Sequence, residues 1–234
     1  SAVRFMNKQA TYNWQMNAAG LAAVWARYNT REEIFNALSR REVYATTGPR
    51  ISLRFFGGYD FHQDDLDLET FVASGYEKGI PMGGELSAKK DAPPSFLFAA
   101  MKDPRGANLD RLQIVKGWIE KEEMKEKVFN VAWSDERPID EEGNITAVGN
   151  TVNLEEATWT DTIGNAALLG IWSDPEHDPS KAAVYYARVL QIPTPRWTLY
   201  DKVRFGIKDM DEAIPLVTQE RAYSSPIWYK PEKN

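Results

Sequence analysis

The stretch RLQIVKGWI, residues 111–119, sets apolar Leu112, Ile114 and Trp118 against polar Arg111, Gln113 and Lys116. Alternation turns successive side chains to opposite faces of an extended chain, so the pattern predicts a half-buried strand of an antiparallel sheet. Outward from it, β-branched, aromatic or alternating runs recur at 50–56 (RISLRFF), 68–76 (LETFVASGY), 95–101 (SFLFAAM), 127–133 (KVFNVAW), 167–173 (ALLGIWS), 184–192 (VYYARVLQI) and 198–205 (TLYDKVRF). Each of these reads as a strand. Such a succession predicts a mainly β fold, with an antiparallel β-sandwich over residues 50–234.

Upstream the pattern changes. Thr30 and Glu33 form a T-x-x-E capping box, and Ile34, Phe35 and Leu38 supply an apolar stripe that runs to Arg40-Arg41, which predicts a helix over about 31–41. The apolar run GLAAVW at 20–25 reads as a buried strand, although its period alone does not separate strand from helix. Residues 1–49 are thus a small β-α portion that ends at the Thr47-Gly48-Pro49 turn. Gly57-Gly58 and Gly83-Gly84 read as hairpin turns. Polar linkers occupy 60–67, 102–110, 134–153 and 174–181, while Tyr223, Trp228 and Tyr229 make the tail from Gln219 to Asn234 too aromatic for a disordered end. The eight tryptophans read mostly as core, with some available to an interface.

At 234 residues the chain can bury a substantial core without disulfide staples. Lys and Arg number 28 against 34 Asp and Glu, and the net charge of −6 without a dense basic run argues against a nucleic-acid partner. The absence of cysteine excludes disulfides, thiolate metal sites and thiol nucleophiles. Mean hydropathy is −0.50, and the short apolar runs predict no membrane span.

Histidine, the usual general base and transition-metal ligand, occurs only at His62 and His177. Both sit among acids, a setting for an adventitious metal ion, but solvated loops rich in Asp and Pro account for them and neither is assigned as a metal site. Nucleophile-elbow, phosphate-loop and dinucleotide motifs are missing. Two segments carry more specific chemistry. Thr46-Thr47-Gly48-Pro49-Arg50 joins two hydroxyls, a glycine and a guanidinium, which could hold an anion or simply end a strand. Ile192-Pro193-Thr194-Pro195-Arg196-Trp197 stiffens the chain and could stack Arg196 on Trp197, as an aromatic platform for carbohydrate or peptide or as a rigid corner between strands.

The segments GLAAVWARYNTREEIFNALSRREVYATTGPRISLRFFGGYDF, DPRGANLDRLQIVKGW, IPTPRWT and ERAYSSPIWY, in that order, resemble the carboxy-terminal part of the DUF3604 family. Its members are bacterial proteins of unknown function related to the PHP and amidohydrolase-like metal-dependent phosphoesterases. The likeness runs from about Tyr12 to Tyr229. It implies that the His-x-His and further ligands of a divalent metal lie in an N-terminal PHP-like domain upstream of Ser1. On that reading TREEIFNALSRREVYATTGPRI is the last helix and strand of the PHP-like barrel, the rest is an appended β-rich domain, and the segment alone is inactive and needs no cofactor. No family catalytic residue maps onto these positions; Thr46, Thr47 and Arg50 are the residues expected to face the cavity. A cut barrel would expose Leu21, Val24 and Trp25 as an apolar surface able to drive homo-oligomerisation. The compartment stays open between bacterial cytoplasm and periplasm. The rival expectation is a carbohydrate- or peptide-binding sandwich that uses exposed Trp and Tyr, and a hydrolase working with carboxylates alone is a third.

Overall fold

A computed structural model of the chain describes residues 13–16, 20–89 and 92–231. Tyr12, where the family likeness begins, and the last three residues of the aromatic tail lie outside the described residues. The first elements are β1 (Leu21–Val24), α1 (Arg31–Ser39) and β2 (Val43–Thr46). Then come β3 (Ser52–Gly58), α2 (Phe71–Lys78), β4 (Gly79–Pro81), β5 (Glu85–Ser87) and β6 (Ser95–Met101). The long strands β7 (Leu109–Glu120), β8 (Glu123–Trp133), β9 (Ala167–Ser173) and β10 (Ala183–Gln191) follow. The chain closes with β11 (Thr194–Pro195), α3 (Trp197–Phe205), β12 (Val217–Thr218), β13 (Arg221–Ser224) and β14 (Ile227–Lys230).

The fold is mainly antiparallel β, as the runs predict. In the larger sheet β10 pairs along its length with β7, which pairs in turn with β8. On its other side β10 meets β14 near its start and β13 near its end. β13 carries β2 and then β1, while β14 carries β5 in a parallel pairing. The smaller sheet has the order β4-β3-β6-β9.

The two sheets share one core: Phe55, Phe96 and Phe98 of the smaller meet Leu112, Ile114, Tyr185 and Val189 of the larger, all fully buried. Phe96 stacks on Phe55 with ring centroids 5.2 Å apart and lies 4.7 Å from the Tyr185 ring. The outer face of the smaller sheet is also covered, because Phe56 and Leu97 pack against Phe61 and Phe71. A strand covered on both faces needs no polar alternation, which is why SFLFAAM is continuously apolar. Each fully buried side chain of this size contributes about 1.5–3 kcal/mol.

Two of the expected strands are helices. The run 68–76 holds most of α2, whose Phe71 and Gly75 turn one face onto β3; a Cβ on Gly75 would stand 2.6 Å from the Phe56 ring. The run 198–205 lies in α3, which ends at Gly206 in the left-handed conformation (φ 61°), with Lys202 and Arg204 near its negative end. Aromatic and β-branched content misled the reading in both. The helix expected over 31–41 spans Arg31–Ser39, and Thr30 accepts the Glu33 backbone N–H at 3.3 Å, one half of a capping box. Its Phe35 and Leu38 are exposed rather than buried, and only Ala37 is in the interior.

Further differences concern turns and faces. Gly57-Gly58 belong to β3, and Gly83-Gly84 link β4 of one sheet to β5 of the other, so neither pair closes a hairpin. Gln113 and Lys116 are buried instead of solvated. Lys116 shares the even parity of Leu112, Ile114 and Trp118, and its side chain accordingly faces the core. Trp25, Trp118 and Trp172 line the rim of the core without being fully buried. Of the three residues expected on an apolar surface, Leu21 is exposed, Val24 is half-buried, and Trp25 is engaged within the chain: its Nε1–H donates to the Leu53 carbonyl at 2.9 Å. Tyr223, Trp228 and Tyr229 sit in β13 and β14, so this part of the aromatic tail is ordered, in strands that the sequence runs did not mark. No described helix is long and apolar enough to cross a membrane.

Candidate functional site

The two chemically specific segments converge although about 150 residues separate them. β2 ends at Thr46, which pairs with Leu21 of β1 and Ala222 of β13. The next residue continues the ladder through its side chain: the Arg221 backbone N–H donates to Thr47 Oγ1 at 2.9 Å, and the Thr47 N–H donates to the Arg221 carbonyl at 3.0 Å. The Thr47 hydroxyl donates to the Glu220 carboxylate. Thr46 Oγ1 accepts the Gly48 N–H at 3.3 Å, which fixes the turn. Gly20 closes the other side, where any Cβ would lie 2.2 Å from the Thr46 carbonyl oxygen.

The second wall comes from the proline-rich corner. β11 pairs with β12 and leads directly into α3, so Ile192–Trp197 joins a strand to a helix rather than two strands. Arg196 caps α3, and its buried guanidinium lies 5.3 Å from the centre of the Trp197 ring, the stacking the sequence suggests. Arg196 Nη2 and Trp197 Nε1 both donate to the Met16 carbonyl, at 3.1 and 3.0 Å. Thr46, Thr47, Arg196 and Trp197 thus line one cleft of about 450 Å³. Arg50 is not part of that lining; its backbone N–H donates to Asp103 at 2.7 Å.

Thr218, Gln219, Glu220, Arg221 and Tyr223 complete the cleft, and residue chemistry alone did not single them out. Gln219 is anchored by Nε2 to Asp110 at 3.0 Å and to the Gln191 carbonyl at 2.9 Å. Arg221 donates from Nε to the Gln219 carbonyl at 3.3 Å and from Nη1 to the Tyr223 hydroxyl at 3.4 Å. The available signal was the ERAYSSPIWY motif, which holds Glu220, Arg221 and Tyr223 but not Thr218 or Gln219. Guanidinium donors, hydroxyls, a carboxylate and a partly exposed indole face make a surface suited to recognising a polar ligand.

The histidines lie elsewhere. His62 is exposed before a short 3-10 turn (Gln63–Leu66), and its backbone N–H donates to Asp65, whose carboxylate binds Lys78 at 2.7 Å. His177 is half-buried rather than solvated, edge-on to the Tyr229 ring at 4.7 Å. Burial lowers its pKa below the ordinary 6.5, with Lys116 acting in the same direction against Asp174 and Asp178. Beside it Lys116, Asp174 and Tyr185 form a buried network in which Asp174 accepts from Lys116 Nζ at 2.6 Å and from the Tyr185 hydroxyl at 2.7 Å.

These residues do not fit the metal centre of a PHP-type hydrolase. The two histidines stand on separate loops, and Asp65 and Asp174 are committed to lysines. Among the described residues no three His, Asp or Glu side chains gather into a metal-ligating group. No metal-dependent step is assigned to them.

No curated protein and no solved structure matches the chain. The model of a family described as "Protein of unknown function (DUF3604)" matches residues 2–231, and the chain belongs to that family.

Proposed function

We propose that this chain is the β-rich accessory part of a PHP-like metal-dependent hydrolase of the phosphoesterase type, with residues 1–49 as the end of the PHP-like domain and 50–234 as the appended domain. The divalent metal and its ligands belong to the part that precedes these residues, and the Thr46–Trp197 cleft contributes recognition at the edge of that catalytic part. The observation that carries the reading is the convergence in one cleft of YATTG and IPTPRWT, two of the segments on which the family resemblance rests. Metal content and turnover of a generic phosphodiester, measured side by side on the longer parent protein and on this segment, test it. Metal and activity confined to the parent, with KM raised more than kcat is lowered by Arg221→Ala, are the expected results. Stoichiometric metal and turnover in the segment alone would overturn the reading.

A second reading, a carbohydrate- or peptide-binding module, is favoured by the Met16 carbonyl. Arg196 and Trp197 grip it as they would grip the main chain of a bound peptide. Binding of peptides or glycans by the isolated segment, lost in Trp197→Ala, distinguishes this reading from the first.

A further inference from the structure

The antiparallel β1–β2 pair, joined through α1, has a cleft at each end. At the end away from Thr46, where the Trp25 N–H donates to the Glu42 carbonyl at 3.1 Å, a second cleft of about 540 Å³ opens between α1, β3 and α2. Arg27, Arg40 and Arg54 line it with Glu33 and Glu42, an excess of one positive charge. Glu42 is only 2% exposed and is fully engaged. It accepts from Arg40 Nε at 3.0 Å, from Arg54 Nη1 at 3.4 Å and from the Tyr76 hydroxyl. The Arg54 guanidinium lies 3.4 Å from the centre of the Trp25 ring, and Arg40 Nη2 is tied to the Trp25 carbonyl at 3.0 Å. Two arginines are therefore locked in position by a buried carboxylate and an indole.

Their donors are not used up. A guanidinium carries five N–H groups. Nε and Nη2 of Arg54 and Nη1 of Arg40 have no acceptor among the described residues, and Arg27 makes no hydrogen bond or ion pair among them. Fixed guanidinium groups with spare donors recognise carboxylate and phosphate oxygens in two-pronged geometry. The volume falls within the range of about 300–1,000 Å³ typical of small-molecule sites. Val72 and Tyr76, both part-exposed, add an apolar and aromatic wall. We propose that this cleft binds a small organic molecule through an oxyanion group, with its planar or apolar body against Val72 and Tyr76. The proposal is independent of the accessory-domain reading.

Isothermal titration of the chain with phenyl phosphate, benzoate and inorganic phosphate tests it, and the first two probes separate a phosphate ester from a carboxylate. Binding of at least one organic probe, tighter than that of inorganic phosphate, is expected. Loss of one charge-assisted contact, in Arg27→Ala or Arg54→Gln, weakens it by about tenfold or more, whereas Trp197→Ala in the other cleft leaves it unchanged. Arg27 is exposed, so its variant keeps the wild-type melting temperature and remains informative if Arg54→Gln fails to fold. No binding of either organic probe at millimolar concentration, binding indifferent to Arg27→Ala, or binding lost in Trp197→Ala overturns the proposal.

Discussion

Asp174→Asn is the most direct test of the energetics of the inner face. Asp174 is 2% exposed and Lys116 7%, with Tyr185 fully buried beside them. The carboxylate accepts three hydrogen bonds from three groups: Lys116 Nζ and the Tyr185 hydroxyl reach Oδ2, and the Glu176 N–H reaches Oδ1 at 2.9 Å. Burial first, and the adjacent carboxylate second, hold the Tyr185 hydroxyl well above the ordinary phenol pKa, so it remains a donor. An asparagine amide placed either way round sets its NH2 against a donor: against the Glu176 N–H, or against Lys116 and Tyr185 together. In either arrangement Lys116 loses its counter-charge, and with the NH2 turned toward it Lys116 keeps only the Glu176 carbonyl as acceptor, at 2.8 Å. Removing one partner of a buried pair costs about 3–5 kcal/mol. With about 2–4 °C lost per kcal/mol in a chain of this size, the melting temperature drops by about 6–20 °C. Urea unfolding followed by tryptophan fluorescence measures the free energy directly. Lys116→Met added to Asp174→Asn removes the stranded ammonium and restores part of the loss, a coupling of about 0.5–3 kcal/mol. A single variant that loses less than about 1 kcal/mol, or a double variant that loses the sum of the two singles, would refute the argument.

Gly75→Ala tests the seat of α2 on β3: a Cβ 2.6 Å from the Phe56 ring overpacks that contact, and denaturant unfolding is expected to show a loss of about 1–3 kcal/mol; an unchanged midpoint would mean that the helix is free to shift. His177→Gln tests a pH dependence. Because the folded state lowers the pKa of His177 from 6.5, it binds the proton less tightly than the unfolded chain does. The contribution to stability is complete above about 6.5 and is lost as the pH falls from there through the lowered folded value. Wild-type stability minus that of His177→Gln is therefore expected to decline on acidification across this window, and a constant difference would show that burial does not act on the imidazole.

The sheets were legible because their patterns are local. The runs 95–101 and 167–173 coincide with β6 and β9, and the runs 111–119, 127–133 and 184–192 fall on β7, β8 and β10 with small shifts at their ends. The short strands β4, β5 and β11 to β14 were not, since two to four residues carry too little pattern and are extended only because a longer neighbour pairs with them. α2 and α3 show the opposite failure. Their aromatic content suits strands, but the spacing of Phe71 to Gly75 and the Lys202, Arg204 and Gly206 sequence at the end of α3 are helical signals that composition concealed. For the site, Thr46, Thr47, Arg196 and Trp197 were legible as residue types, whereas their meeting depends on the pairing of β2 with β13, a contact across about 175 residues that no local pattern encodes.

That pairing also joins the two clefts. Glu42, which orders the arginines, and Thr46, which borders the Arg196 cleft, are separated by four residues on one extended segment, about 13 Å at about 3.3 Å per residue. The β1–β2 pair is held to the rest of the larger sheet through three register pairs with β13 and to the smaller sheet through the Trp25–Leu53 hydrogen bond. β2 has a neighbour on each side, whereas β1 has one among the described strands and leaves Leu21 exposed, so β1 is the more lightly held strand of the two. Trp25 follows directly on the lightly held strand and forms the stacking face for Arg54. A ligand that engages Arg54 from solvent therefore competes with the Trp25 ring for the guanidinium faces but not for its edge, where the spare donors are. The spare Arg54 donors thus lie where an oxyanion reaches them without displacing the Trp25 ring from the guanidinium face.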